Sequence, residues 1–399
     1  MLGQDISSSS LWSASLIESD QGSKAIVQTH LDFLQAGADV VSTSTYQAST
    51  LAFQMAGHSS ERAEQLLVKS VQLAQQARET FAQSNPQARK PLLLLSLGPY
   101  GSALSNGCEC EEKEIREMPQ KEKKIYTDFF LLFPLDTGDY FVPDTEKRIY
   151  QGPPVSQEDM EEFHFFRIKT IASSPTWSFV DVIAFETIPR LDEAIAIRRA
   201  LRRIFSLYPR RFSYASFVFP KGNHLPWPVQ QDESKDQDMN ELLDEVLGND
   251  KEGHASPLSG VGINCTKPKF LNKLVKNMTF ALPQVKREEK PYLFVSGSDD
   301  VKKKESVCVC VCADLVSPLL QLYPDGGLVW DGIKRVWKEE KGTETSSLSW
   351  SDQVMNAADL ATQKTTSSWG GCFVGGCCKA TTSDIAALRS RVDAASYKQ

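Results

Sequence analysis

Two hydrophobic rhythms alternate along the chain. Some stretches carry apolar residues three and four positions apart, which gives a helix one apolar face. Short runs of consecutive apolar residues between them read as buried strands. Lys24–Ala36 has the first rhythm and stops at Gly37; Asp39–Thr43 has the second. Leu51–Gln83 predicts one or two helices with a break near Gly57, and Pro91–Leu97 predicts a strand closed by Gly98 and Pro99. After a gap the alternation resumes. It predicts a helix over Gln157–Ile171, a strand over Val180–Phe185, and a helix over Pro189–Phe205 with proline in its first turn. Strands are then predicted at Phe212–Phe219, Gly260–Asn264, Leu319–Tyr323 and Cys372–Val374. Helices are predicted at Met239–Leu247, Lys267–Met278, Ser351–Thr362 and Ser383–Val392. Seven strands each lead into a helix, which calls for a parallel sheet with right-handed crossovers, one strand short of an eight-stranded barrel.

Three stretches break the rhythm. Residues 109–136 open with the charge run ECEEKEIREMPQKEKK and turn abruptly apolar at Phe129–Leu135. Residues 296–318 join a polar run to a Val-Cys repeat. Both read as insertions into a single barrel domain spanning residues 1–399, solvated excursions from a compact chain. Lys334–Ser347 is largely polar and predicts a further loop.

Composition narrows the class. With 44 Lys+Arg against 51 Asp+Glu the net charge is −7, so no basic excess is available for a nucleic-acid partner. The longest apolar runs, such as Pro91–Leu95, fall well short of the ~20 residues of a membrane span, and no secretory signal is visible, so a cytoplasmic location is expected. Nine cysteines are too few and too clustered for a disulfide scaffold.

Their positions carry the chemistry. Cys265 follows directly on the strand Gly260–Asn264, and Cys377 and Cys378 follow Cys372–Val374 and two glycines. In a barrel the C-terminal strand ends converge on one face, so cysteines more than 100 residues apart can meet there. Three thiolates and an open position suit a catalytic zinc; three buried thiols are the alternative. Adjacent side chains on a regular strand point to opposite faces, so a vicinal pair can share a metal only where the backbone departs from that geometry, as two glycines allow. Cys372 reads as core, and Cys308, Cys310, Cys312, Cys108 and Cys110 lie in or beside the foreign-looking segments. Glu186 ends its strand in AFETIP, where a carboxylate can hold an amino group; Thr45 and Tyr46 lie just beyond another strand in TSTYQAS. None of the five histidines has ligand spacing, and HExxH, GxSxG, GxGxxG and GKS/GKT patterns do not occur.

Taken together, VVSTSTYQAS (40–49), SLGPYGSAL (96–104), AFETIPRLDEA (184–194), GVGINCTKP (260–268), LYPDGG (322–327) and GGCCKATTSDIAALR (375–389) resemble the homocysteine S-methyltransferase family, in a fungal-type order and spacing. GINC with a distant GGCC is the specific part. The resemblance implies a (β/α)8 TIM barrel whose zinc is held by Cys265, Cys377 and Cys378. It implies transfer of a methyl group from a sulfonium donor, S-methylmethionine or S-adenosylmethionine, to the zinc-held thiolate of homocysteine, giving methionine. Glu186 matches the residue that pairs with the homocysteine amino group, and Thr45 and Tyr46 match the loop lining the amino-acid pocket. The family opens with a DGG-type strand, whereas this chain starts at MLGQDISSSSLWSASLI, which resembles the helix after that strand. An absent first strand and two foreign segments are what translated non-coding sequence or a mis-chosen start would leave. They also frame the alternative of a catalytically impaired zinc-binding barrel homologue.

Overall fold

A computed structural model describes residues 11–104, 155–226, 236–282, 319–323, 328–331, 336–339, 348–362, 369, 371–377 and 380–396. Seven strands form one parallel sheet in chain order: β1 (Val40–Ser42), β2 (Leu92–Leu97), β3 (Val182–Ile188), β4 (Phe212–Phe217), β5 (Gly260–Asn264), β6 (Leu319–Tyr323) and β9 (Gly371–Val374). β7 (Leu328–Asp331) and β8 (Val336–Glu339) pair separately as an antiparallel ladder. Both predicted insertions, residues 109–136 and 296–318, lie outside the described residues.

The helices start and stop where local chemistry directs. In α1 (Asp20–Gln35) the Ser19 hydroxyl caps Gly22 N at 3.0 Å, and Gly37, at φ +98°, ends the run in a conformation glycine adopts without penalty. Gly57, at φ +95°, separates α2 (Thr50–Met55) from α3 (Ser60–Ser84), as the sequence predicts. Ser156 and Asp159 form a capping box at the start of α4 (Gln157–Ala172). The remaining helices are α5 (Leu191–Leu207), α6 (Met239–Leu247), α7 (Pro268–Ala281), α8 (Trp350–Thr362) and α9 (Thr382–Ser396).

Alternation along the strands separates two cores. Leu93, Leu95, Ile183, Phe185, Ala215, Val261 and Ile263 face the helical layer. Leu92, Leu94, Val182, Ala184, Tyr214 and Phe373 pack on one another on the opposite face. Phe212 and Phe373 belong to β4 and β9, which are not neighbours in the sheet, yet their ring centroids lie 6.2 Å apart. The sheet is therefore curled around an apolar interior, as in a (β/α)8 barrel. The last helix returns to the first: Arg389 of α9 sits 3.0 Å from Asp39, just before β1, and its side chain packs over Gly37.

Two expectations need correction. Lys334–Ser347 is not simply a loop, because Val336–Glu339 pairs with Leu328–Asp331; consequently β6 leads into a hairpin before its helix. Val-Trp in that segment supplies the β-preference that the charge count obscured. The strand predicted to end at Glu186 runs on to Ile188, and its helix begins at Leu191 rather than at Pro189. The extra length comes from a bulge: Phe185 pairs with Ala215 and Ile188 with Phe217, so Glu186 and Thr187 together oppose Ser216.

Candidate active site

Following the interior-facing positions toward the C-terminal strand ends changes their chemistry. Leu92 and Leu94 lead to Ser96, Val182 and Ala184 to Glu186, Phe212 and Tyr214 to Ser216, and Gly260 and Gly262 to Asn264. Period two thus delivers four polar side chains to one end of an apolar interior.

Asn264 is their centre. It is 2% exposed, and its Oδ1 accepts from Thr187 N and from Ser216 Oγ, both at 2.8 Å. Its Nδ2 donates to Thr187 Oγ1 at 2.6 Å and lies 3.6 Å from Cys265 Sγ and 4.0 Å from Cys377 Sγ. The structure therefore brings together Cys265 and Cys377, as their positions after β5 and β9 predict. Cys378 lies outside the described residues. Gly376 lets the chain turn here, since a Cβ on it would sit 2.2 Å from that of Ala380. Cys372 is buried in β9, as expected of a core residue.

Glu186 stands beside this pair. Ser96 Oγ donates to its Oε2 at 2.6 Å. Burial pushes its pKa up to about 7; the Ser96 hydrogen bond works against that shift and the nearby Cys377 adds to it. Such a carboxylate gains most from a cationic partner.

The loop after β1 is clamped from below and behind. Thr45 is fully buried, and its hydroxyl donates to Ser96 O at 2.6 Å and contacts Thr43 Oγ1 at 2.5 Å. The half-buried Tyr46 offers its carbonyl to Gly98 N at 2.9 Å and to Ser102 Oγ at 3.2 Å. Any Cβ at position 98 would meet that carbonyl at 2.6 Å, so the close approach of the two loops requires glycine. Beneath Gly98, Arg167 Nη2 donates to the Gly98 carbonyl at 2.7 Å. His164 bridges Arg167 and Glu193, with Glu193 Oε1 2.9 Å from His164 Nε2 and accepting Tyr100 N at 2.5 Å.

Sequence reasoning missed Asn264, Thr187, Ser96 and Ser216 as site residues. The available signal for Ser96, Ser216 and Asn264 was a polar residue ending an apolar period-two set; Thr187 stands out of that period, in the bulge, and carried no such signal.

Among the described residues, a three-ligand grouping occurs elsewhere: Asp250, Glu252 and His254, with ligand atoms within 4.8 Å. Asp250 is already engaged there by Arg202 at 2.8 Å and by the backbone N–H groups of His254 and Glu252, so the cluster closes a surface turn. No described helix is long and apolar enough to cross a membrane.

The profile of the homocysteine S-methyltransferase family matches residues 1–392 of this chain. The chain is 27% identical over 394 residues to homocysteine S-methyltransferase 2 of Zea mays, covering 98% of this chain and 85% of that protein. It is 26% identical over 382 residues to the homocysteine S-methyltransferase of Escherichia coli (strain K12), covering 96% and 88%. A selenocysteine Se-methyltransferase of Brassica oleracea var. italica is 27% identical over 393 residues, covering 96% and 82%. Among solved structures, the metallated form of the Escherichia coli homocysteine methyltransferase MmuM superposes with a TM-score of 0.57 at 23% identity, covering 98% of this chain and 91% of that one. That likeness is one of fold.

Proposed function

The chain belongs to the homocysteine S-methyltransferase family, and from that premise we propose that it transfers a methyl group from a sulfonium donor, S-methylmethionine or S-adenosylmethionine, to homocysteine, giving methionine. The observation that carries this reading is the meeting of Cys265 Sγ and Cys377 Sγ on one buried amide, from strands far apart in sequence. Soft sulfur donors in that number suit zinc, with Cys378 as the third ligand and one position left for the acceptor. Zinc bound there supplies Lewis acidity that favours an ionised thiol at neutral pH.

The chain's own residues do the rest. Glu186, oriented by Ser96, takes the ammonium of the amino-acid acceptor; that cation relieves the burial that otherwise favours its protonated form. The hydroxyl of Thr45 is committed to the protein, so its part is to fix the loop that carries Tyr46 along the amino-acid pocket. Asn264 holds the two cysteines in register. The acceptor sulfur supplies the electron pair of the new S–C bond, and the breaking C–S bond returns its pair to the sulfonium sulfur. The leaving group is thus a neutral thioether, and no proton has to be delivered. Zinc-bound thiols persist in a reducing compartment, consistent with a cytoplasmic enzyme.

The test is metal analysis of the purified chain combined with an assay of homocysteine against each donor. About one zinc per chain and formation of methionine are expected. Full zinc occupancy without thiol methylation by either donor overturns the reading and favours the impaired homologue. Cys377→Ser should lose both metal and activity.

A further inference from the structure

We propose that Asn264 and Thr187 form a hydrogen-bonding device that sets the charge and orientation of the two cysteine sulfurs, making them positioning residues for the metal ligands. This rests on the reading of Cys265 and Cys377 as ligands and adds to it the groups that hold them.

The direction of the Asn264 amide follows from its partners. Thr187 N and Ser216 Oγ both converge on Oδ1, and a backbone N–H can only donate, so the oxygen faces them and Nδ2 faces the sulfurs. One Nδ2 hydrogen goes to Thr187 Oγ1 at 2.6 Å. The other faces the space between Cys265 Sγ and Cys377 Sγ, at 3.6 and 4.0 Å. Having accepted from Asn264, the Thr187 hydroxyl donates its own hydrogen to Cys265 Sγ at 3.6 Å. This makes a relay from amide to hydroxyl to sulfur, in which each bond polarises the next.

Backbone strain marks the same place. Among the described residues only Thr187 (φ +61°) and Cys265 (φ +48°) are non-glycine residues with positive φ. A β-branched residue rarely adopts this conformation, which costs on the order of 1–3 kcal/mol and persists only where the surroundings enforce it. Asn264 is what enforces it here: its Oδ1 captures the Thr187 N–H, its Nδ2 captures the Thr187 hydroxyl, and Cys265 is its neighbour in the chain. Thr187 lies on β3 and Cys265 just past the end of β5, and one side chain links the two strained residues.

The consequence is electrostatic. An N–H or O–H directed at a cysteine sulfur withdraws charge from it, which reduces repulsion between neighbouring thiolates and lowers the charge each donates to a metal. Groups that orient metal ligands in this way typically alter metal affinity by about 10- to 100-fold when removed.

The experiment uses the full chain loaded with Co2+, whose sulfur-to-metal charge-transfer band reports the donor strength of the cysteines, together with Zn2+ affinity by chelator competition. Asn264→Asp keeps the acceptor used by Thr187 N and Ser216 and removes the donor. It should shift the band to longer wavelength and weaken Zn2+ binding by about 10-fold or more. Thr187→Gly is the uncharged second variant, and it accommodates positive φ. It should show a longer-wavelength band, and Thr187→Ser should return the band toward its wild-type position. An unshifted band and unchanged affinity in a folded Asn264→Asp or Thr187→Gly protein overturn the proposal. A wild-type chain that shows no sulfur-to-cobalt band, or one that survives in Cys265→Ser unchanged, instead overturns the assignment of the ligands and the proposal with it.

Discussion

Arg78 and Asn264 sit at opposite ends of the same sheet and organise their surroundings in opposite ways. At the N-terminal ends of β2 and β3, Arg78 is 3% exposed and meets Asp181 Oδ2 at 2.5 Å, Gln75 Oε1 from Nε at 2.8 Å, and Phe179 O at 3.2 Å. Asp181 in turn accepts Leu93 N at 2.8 Å. Every one of these donors is matched to an oxygen, and none of the residues involved has a positive φ. At the C-terminal ends Asn264 turns donors toward sulfur, and its two partners carry positive φ. The first cluster has its donors matched to oxygens, and the second is strained, with donors aimed at sulfur. Barrels divide stability and chemistry between their faces in the same sense.

The division predicts that substitutions at the two ends fail differently. Arg78→Met strands the Asp181 carboxylate beside Leu93 and should cost about 3–5 kcal/mol in urea unfolding, because half of a buried pair is removed. Zinc affinity in the folded fraction should not change. A variant that keeps its stability but loses metal would break the comparison.

His164 sharpens it, since it lies beneath the active-site loop with both ring nitrogens paired, one to Glu193 and the other to Arg167. Burial holds its pKa down to about 4, with the Arg167 charge acting in the same sense and the Glu193 hydrogen bond opposing. A depressed pKa means that the folded state prefers the neutral imidazole. The contribution is therefore complete above the unfolded value near 6.5 and is lost as pH falls toward 4. Wild type should lose on the order of 3 kcal/mol from this group across that window. His164→Gln should be less stable at pH 7 and show a flatter pH dependence, read by thermal unfolding at a series of pH values. An equally steep acid loss in the variant would move the titration to another group.

These clusters also show what a sequence can and cannot disclose. The parallel alternation was legible because strands such as β2 and β5 are short runs buried on both faces, and helix ends such as Gly37 and Gly57 are written in single residues. Cys265 and Cys377 could be placed together because the ends of parallel strands converge on one face whatever their separation in sequence. The bulge at Glu186–Thr187 was not legible, since it is imposed by Asn264 from another strand and ETI reads as regular strand. The pairing of Val336–Glu339 was likewise hidden, because four strand residues lie within a charged stretch whose composition suggests a loop.

Within the chemical end, Glu186→Gln separates binding from folding. The ammonium of the acceptor loses a charge-assisted partner, so kcat/KM for homocysteine should fall by about 10- to 100-fold, chiefly through KM. The glutamine avoids a desolvated charge, so stability at pH 8 should match or exceed that of wild type. A drop in stability with KM unchanged would assign Glu186 to the structural side of the comparison.

The smallest effect is expected where the ladder itself indicates indifference. β2 pairs with β3 in register from Leu94↔Val182 to Leu97↔Phe185, although residues 105–154 intervene. β5 pairs with β6 from Gly260↔Leu319 to Asn264↔Tyr323, across residues 283–318. The hydrogen bonds that close each pair, and the polar set that Ser96 and Asn264 bring to the site, all lie on the strands themselves. We propose that residues 109–136 and 296–318 are insertions into one barrel domain. Shortening both loops by deleting these residues should then leave zinc affinity unchanged and raise stability by no more than about 1 kcal/mol for each loop, the entropy of closing a shorter chain. A deletion variant that fails to fold, or that folds without binding zinc, would make the segments part of the structure that holds the two ends apart.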